Sequence, residues 1–293
     1  MLPGGKVRRR LWLAALLTVA TPPLAAAQAN DAPAPGAELI EQARAQFAID
    51  DISGPDGKGR YRMPEASSGG ARAARRLLEQ AIAAGNADAH RLLGRMVEAG
   101  AGGPQDFAAA RRHYALAGED RIAYWRHGLL LLTDRGGVSD PALARRLFQL
   151  AGGKGLIDAS YELARMTELG LGGPRDEAAA RRAYEDMSEW CHGDMADRYS
   201  VMLMRGVGGS VDRERAATLQ IKAFECHNSN FKVPAALSRP DLFDPETIAA
   251  MQKQLQGSGY AGSLDGSFNP ATRAALRSLS SEPLAPGGEE IPE

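Results

Sequence analysis

The feature that most constrains this chain is a unit of thirty-odd residues that recurs in register. Asp106, Asp140, Asp176 and Asp212 follow one another at steps of 34, 36 and 36 residues. A glycine pair precedes each of them: Gly102-Gly103, Gly136-Gly137, Gly172-Gly173 and Gly208-Gly209. Four residues after each comes Ala110, Ala144, Ala180 or Ala216. On these marks the segments 93–117, 127–151, 163–187 and 199–223 superimpose. Repetition at such a period signals stacked supersecondary units, none of which can bury its apolar face alone.

Each mark has a physical reason. Glycine accepts positive φ, so the pair ends one helix and turns the chain into the next. The aspartate stands where a side chain can cap unpaired backbone N–H groups at a helix start. The alanines at the fourth and eleventh positions after it, such as Ala110 and Ala117, share one helix face and let neighbouring helices approach closely. Aromatic residues are 6% of the chain while glycine alone numbers 33, a balance that suits close-packed helices better than a sheet core. The expected fold is all-α: an α/α solenoid of helix–turn–helix repeats over 86–227, followed by a smaller helical module.

These residues resemble the Sel1-like repeat family, which is TPR-like. The pattern is carried best by Leu93, Gly94, Gly100, Gly102, Asp106, Ala110, Tyr114 and Ala117, and again by Leu163, Gly170, Gly172, Asp176, Ala180 and Tyr184. In the second copy Asp134 replaces the first turn glycine and Phe148 stands for the tyrosine. In the fourth copy Ser200 and Gln220 replace the glycine and the aromatic, a departure suited to a terminal repeat. A divergent half-repeat over 30–85 precedes these, with a first helix from Glu38 to about Phe47, an inserted polar loop from Asp50 to Gly70, and Ala74-Arg75-Arg76 matching Ala110-Arg111-Arg112. The spacing of Asp50, Asp51 and Asp56 is not that of a calcium loop.

Residues 228–243 read as a linker, because Pro234 and Pro240 interrupt helix there. In the module at 244–281, Asp244-Pro245-Glu246 starts a helix with a capping aspartate and a first-turn proline. Gly259-Tyr260, Gly262, Asp265-Gly266, Phe268, Thr272 and Ala275 then resemble the peptidoglycan-binding domain family of three-helix modules. That resemblance implies a wall-binding motif at Tyr260, Gly262, Asp265, Gly266, Phe268 and Thr272. Asn269 stands where the family has glycine, and asparagine tolerates positive φ. Thr272 is expected to cap or buttress the final helix. The tail 282–293 has the composition of a disordered segment.

The start of the chain bears on its compartment. Lys6, Arg8, Arg9 and Arg10 precede a short apolar run, Leu11 to Ala20, and then small residues suited to cleavage. Residues 1–29 therefore read as a secretory signal, and the mature protein is expected in a periplasm without stable membrane insertion. The formal charge of the whole chain is −1, and losing those four cations leaves it mildly acidic, so nucleic acid is not an expected partner.

Paired arginines occupy equivalent places: Arg75 and Arg76, Arg111 and Arg112, Arg145 and Arg146, Arg181 and Arg182. In a solenoid they line up as a basic stripe. That stripe is either a contact for an acidic partner or anionic polysaccharide, or a solvated face whose arginine stems cover alanine-rich surface. Cys191 and Cys226 hold nearly the same place in adjacent repeats, so an oxidising compartment favours a disulfide between them. A metal site with His192 and His227 is disfavoured, because adjacent helical side chains diverge by about 100°. His90, His113 and His127 read as scattered helical positions, and no serine, cysteine or acid pair completes a catalytic set.

The expectation is a non-enzymatic adaptor without cofactor or metal. Its partners would be envelope proteins, with peptidoglycan or an anionic polysaccharide as further ligands. A regulator or secretion component for an exopolysaccharide, and a divergent cell-wall hydrolase, are the alternatives.

Overall fold

The computed structural model describes residues 34–49, 55–56, 60–61, 69–188, 193–225 and 234–280. The signal segment, most of the 50–70 insertion, Cys191, Cys226 and the tail lie outside them.

Helices α1 (Ala37–Gln46) and α2 (Gly69–Ala83) form the first pair. Between them Pro55–Asp56 pairs antiparallel with Arg60–Tyr61. Four further pairs follow: α3 (Asp88–Ala99) with α4 (Phe107–Leu116), α5 (Arg121–Leu132) with α6 (Pro141–Gly153), α7 (Ile157–Leu169) with α8 (Glu177–Asp186), and α9 (Gly193–Arg205) with α10 (Arg213–Glu225). Each second helix packs on the first helix of the next pair, which makes the array a solenoid.

The repeating aspartates start the second helices. Asp106, Asp140, Asp176 and Asp212 each accept an N–H from the third residue on, at 2.8–2.9 Å. One orphan donor is thereby satisfied in every repeat. Ala110, Ala144, Ala180 and Ala216 are fully buried. The glycine of the Leu-Gly step lies under the aromatic of its own repeat. A Cβ on Gly94 would stand 2.8 Å from Tyr114 Cε1, and one on Gly128 would stand 2.6 Å from Phe148 Cε1. Asp134, where the second copy lacks its turn glycine, has φ 53°; aspartate is among the residues that visit that region at tolerable cost.

Over residues 234–243 the connecting segment is packed against the last repeat. Ala235–Ser238 forms the single helical turn α11, and Pro240–Leu242 a 3-10 turn. Ala235, Ala236, Leu237 and Phe243 are buried. Pro234 stands at the start of α11 and Pro240 opens the 3-10 turn, and the helical turn between them packs inward. The two departures of the fourth repeat explain how. Buried Gln220 donates to Ser200 Oγ (2.8 Å) and to Asp197 Oδ1 (3.0 Å), and its Oε1 accepts the N–H of Ala236 (3.1 Å). Asp197 in turn accepts the N–H of Ala235. A glycine–aromatic contact has become a polar clasp on the segment that follows.

Helices α12 (Pro245–Leu255) and α13 (Pro270–Ser278) complete the chain, with a 3-10 turn at Gln256–Ser258 as the third helical piece. Helix α12 lies against α10. Ile248, Met251, Leu255, Tyr260 and Leu276 belong to the same core as Tyr199, Leu203, Ala216 and Phe224 of the last repeat. Arg213 pairs with Asp244 at 2.9 Å, and Gln254 donates to the carbonyl of Glu214 at 3.0 Å. The C-terminal unit is thus welded to the solenoid.

Candidate functional site: repeat junctions, arginine rows and the C-terminal unit

The eight arginines separate into two rows with different work. Arg75, Arg111, Arg145 and Arg181 are half-buried, whereas Arg76, Arg112, Arg146 and Arg182 are exposed. The inner row reaches forward to the turn of the next repeat. Arg111 donates to the carbonyl of Val138 (3.2 Å), Arg145 to Leu171 (3.4 Å) and Arg181 to Val207 (3.3 Å). Arg145 also donates to Thr167 Oγ1 at 2.9 Å. The guanidinium lies where a side chain on the second turn glycine would stand: a Cβ on Gly103 would come 2.3 Å from Arg75 Nη1, and one on Gly209 3.1 Å from Arg181 Cζ. That glycine exists to admit the arginine. Only the outer row is a surface feature.

A second polar device crosses the junctions. Glu98, on α3, is buried and accepts the hydroxyl of Tyr114, on α4. Arg126, on α5 of the next pair, approaches the same carboxylate at 3.8 Å. Burial pushes the Glu98 carboxyl up, and Arg126, Tyr114 and Arg135 oppose the shift. Two repeats later the arrangement returns. Glu168 accepts the Tyr184 hydroxyl (3.2 Å) and a two-pronged contact from Arg198, one arm at 2.9 Å.

The motif residues of the C-terminal unit face mainly inward. Tyr260 donates to the carbonyl of Ser263 (2.8 Å), and its hydroxyl lies 3.1 Å from Thr272 Oγ1. Gly262 sits beneath that hydroxyl, since a Cβ there would come within 2.4 Å of it. Asp265 holds its own loop by accepting from Ser267 N (2.9 Å) and Oγ (2.6 Å). Phe268 is half-buried, with the Arg273 guanidinium 5.2 Å from its ring. Asn269 is not left-handed: its φ is −83°, and its side chain caps α13 by accepting from Thr272 N at 2.9 Å. Thr272, fully buried, is the buttress.

The centre of the unit is Gln252, a buried residue outside the motif. Its Nε2 donates to Ser267 O (2.8 Å) and Thr272 Oγ1 (3.0 Å), and its Oε1 accepts the N–H of Gly266 (3.0 Å). Replacing Gln252 with alanine strands several buried polar groups, each costing about 1–3 kcal/mol. Q252A is expected to loosen the 259–269 loop and raise its amide hydrogen exchange, while α3 to α6 keep theirs.

Comparison with protein families decides what the repeating unit is. The Sel1 repeat model matches residues 71–86, 87–120, 121–156, 157–182 and 194–226. These segments are Sel1 repeats. Among solved structures, a Sel1 repeat protein from Oxalobacter formigenes is similar at 18% identity and a TM-score of 0.58, over 82% of this chain and 86% of that one. A protective antigen present in uropathogenic Escherichia coli strains, with an SLR fold, is similar at 20% identity and a TM-score of 0.51. There 71% of this chain is covered, and the chain spans 48% of the antigen's length. Both likenesses speak for the fold. No curated protein matches. Sel1 repeat proteins are in general protein-interaction scaffolds.

In the Sel1 frame, the Glu–Tyr–Arg device skips a repeat. The places held by Glu98, Tyr114 and Arg126 are held by Leu132, Phe148 and Glu162 one repeat on, and by Glu168, Tyr184 and Arg198 after that. Glutamate gives way to leucine where tyrosine loses its hydroxyl and the arginine is gone. Glu162 instead pairs along its own helix with Arg165 at 2.9 Å. The substitutions travel together because a buried carboxylate without its partners is costly. This signal was in the sequence, visible only once the repeats are laid over one another at these three positions.

One expectation about histidine is corrected. His90 and His113, read as scattered, meet across α3 and α4 with their Nδ1 atoms 3.0 Å apart. Twenty-three residues separate them in the chain, and only the antiparallel pairing of the two Sel1 helices joins them. The expected disulfide between Cys191 and Cys226 lies outside the described residues. Among those residues no helix is long and apolar enough to cross a membrane, and no group of three or more His, Cys, Asp or Glu side chains is arranged to hold a metal.

Proposed function

We propose that the protein is an exported adaptor that binds an acidic envelope partner along the outer arginine row of its Sel1 solenoid. The observation that carries this reading is the separation of the two rows. Arg75, Arg111, Arg145 and Arg181 are consumed by the structure, but Arg76, Arg112, Arg146 and Arg182 stand exposed at the same place in successive repeats. Stacking sets such positions along one line, and like charges so aligned attract an extended anionic surface. The row ends where Thr218 takes the next equivalent position and bonds Gln254 of the C-terminal unit at 3.1 Å. The signal-like composition of residues 1–29 supports the periplasmic part of this reading. The work is done by preformed shape and charge, without cofactor or covalent step.

Reversing all four outer arginines to glutamate in the mature protein tests it. All four are exposed, so stability should change by only a few tenths of a kcal/mol each. Periplasmic crosslinking should lose the partners seen with the natural protein. An unchanged crosslinking pattern would remove the row from the proposal. Anionic polysaccharide is the second reading, favoured by the same row. It predicts retardation by a soluble polyuronate that weakens as salt rises.

The wall-contact role of the C-terminal unit is supported by its motif residues, although most serve its interior. Asp265 and Arg273 are the groups to test. Sedimentation of the whole mature protein with purified sacculi should fall when both are replaced by alanine. Sedimentation that does not depend on them would leave the unit as a structural cap.

A further inference from the structure

One place between the paired helices is filled differently in successive repeats. His90 and His113 hold it first, Tyr124 and Leu147 second, Ser160 and Ala183 third, and Ala196 and Leu219 fourth. The histidines meet across it at 3.0 Å, and Leu147 and Leu219 are buried in theirs. The third of these repeats alone sets two short side chains there. A cleft of about 330 Å³ lies at that place, lined by Ser160, Leu163 and Thr167 from α7 and by Ala179, Ala183 and Asp186 from α8. Taking a ring and an isobutyl group out of a packed place leaves apolar walls without partner atoms. The hydroxyls in those walls are already engaged. Ser160 Oγ donates to the carbonyl of Leu156 at 3.4 Å. Thr167 Oγ1 donates to that of Leu163 and accepts from Arg145, both at 2.9 Å. The interior therefore suits a carbon-rich group, and exposed Asp186 is the acceptor at its mouth.

The surroundings set the charge of what enters. Arg182, of the exposed outer row, lies three residues after Ala179 and four before Asp186, on the same flank of α8. Leu116 and Leu150 follow Arg112 and Arg146 by four residues and are 59% and 50% exposed. Asp186 takes the next equivalent position. The outer arginines thus run beside apolar positions toward the cleft.

We infer that the cleft of this third repeat is the anchor pocket for a tyrosine side chain carried by an acidic segment of the protein partner. The inference rests on the adaptor reading above and names the chemistry that its arginine row recognises. The ring takes the volume that Tyr124 fills one repeat earlier, its hydroxyl donates to Asp186, and flanking carboxylates face Arg146 and Arg182. Charge along a row attracts the segment, whereas one ring in one pocket supplies the buried anchor that fixes its register.

Two labelled peptides test this on the whole mature protein by fluorescence anisotropy. One carries a single tyrosine among glutamates and serines, and the other has alanine in its place. Burying the ring should make the tyrosine peptide bind about tenfold tighter or more, and both affinities should fall as salt rises. Ala183→Leu installs the residue that the second and fourth repeats carry at this place. It should erase the difference between the peptides and leave the alanine peptide's affinity unchanged. Ser160→Tyr should do the same, with the circular dichroism of both variants matching the natural protein. Reversing Arg112, Arg146 and Arg182 to glutamate should weaken both peptides and keep their ratio. No binding of either peptide, equal affinity of the two, or a tyrosine preference that survives both filling variants overturns the inference. Equal affinities that still fall on arginine reversal would strike the pocket and spare the row. Affinities untouched by that reversal would strike the row and with it the acidic partner.

Discussion

Gly172→Ala is expected to cost more than about 4 kcal/mol, at the extreme of single substitutions, while Gly118→Ala costs about 1–2 kcal/mol. The two glycines have nearly the same φ, +65° and +66°. Both substitutions therefore force an alanine into the left-handed region. They differ in surroundings. A Cβ on Gly118 meets nothing within 4 Å, whereas one on Gly172 would lie 2.2 Å from the carbonyl oxygen of Pro141 and 2.5 Å from its carbon. That contact is backbone on backbone across a repeat junction, and no side chain can rotate away to relieve it. Adjacent repeats must move apart or the turn must unwind. Because a solenoid owes its cooperativity to these interfaces, urea unfolding of G172A should also split into two transitions. Equal losses for the two variants would show that only φ matters and that the close approach does not.

Glu98→Leu alone is expected to cost about 3–5 kcal/mol, because it leaves Arg126 buried without the carboxylate it approaches. The triple variant Glu98→Leu, Tyr114→Phe and Arg126→Leu should recover most of that loss. Replacing a buried polar cluster by apolar side chains of similar size is often neutral or stabilising. The natural precedent is the next repeat, where Leu132 and Phe148 do the same packing without charge. Thermal or urea unfolding of the single and triple variants measures the coupling. Additive losses would mean that the three residues act separately and that their joint absence from the second repeat is coincidence.

The repeat was legible because its marks are local. A capping aspartate, a turn glycine and an alanine three or four residues on act within one turn of chain. Their spacing therefore survives as a pattern in the sequence. The helix pairs, the divergent first pair and the starts of the second helices follow from these marks. The place of Gln252 was not legible, because a glutamine on a helix looks the same whether it faces solvent or three hydrogen-bonding partners. Nor was the role of Asn269, since asparagine serves both as a left-handed residue and as a cap, and only the backbone entering α13 selects between them.

The arginine pairs show the limit most clearly. Sequence placed all eight on one stripe, yet 100° of helical rotation between neighbours sends one row into the junction and the other into solvent. The same holds for the fourth repeat, whose Ser200 and Gln220 look like decay in the sequence and act as a clasp in the structure. What the sequence alone determined is everything carried by contacts within a turn or two: the helices, their caps and the period at which they return. Which polar side chains are buried, which repeats share a charge cluster, how the C-terminal unit joins the last core and that two histidines meet were decided only by tertiary structure. Those depend on residues distant in the chain whose side-chain directions are set by packing, and no local pattern records them.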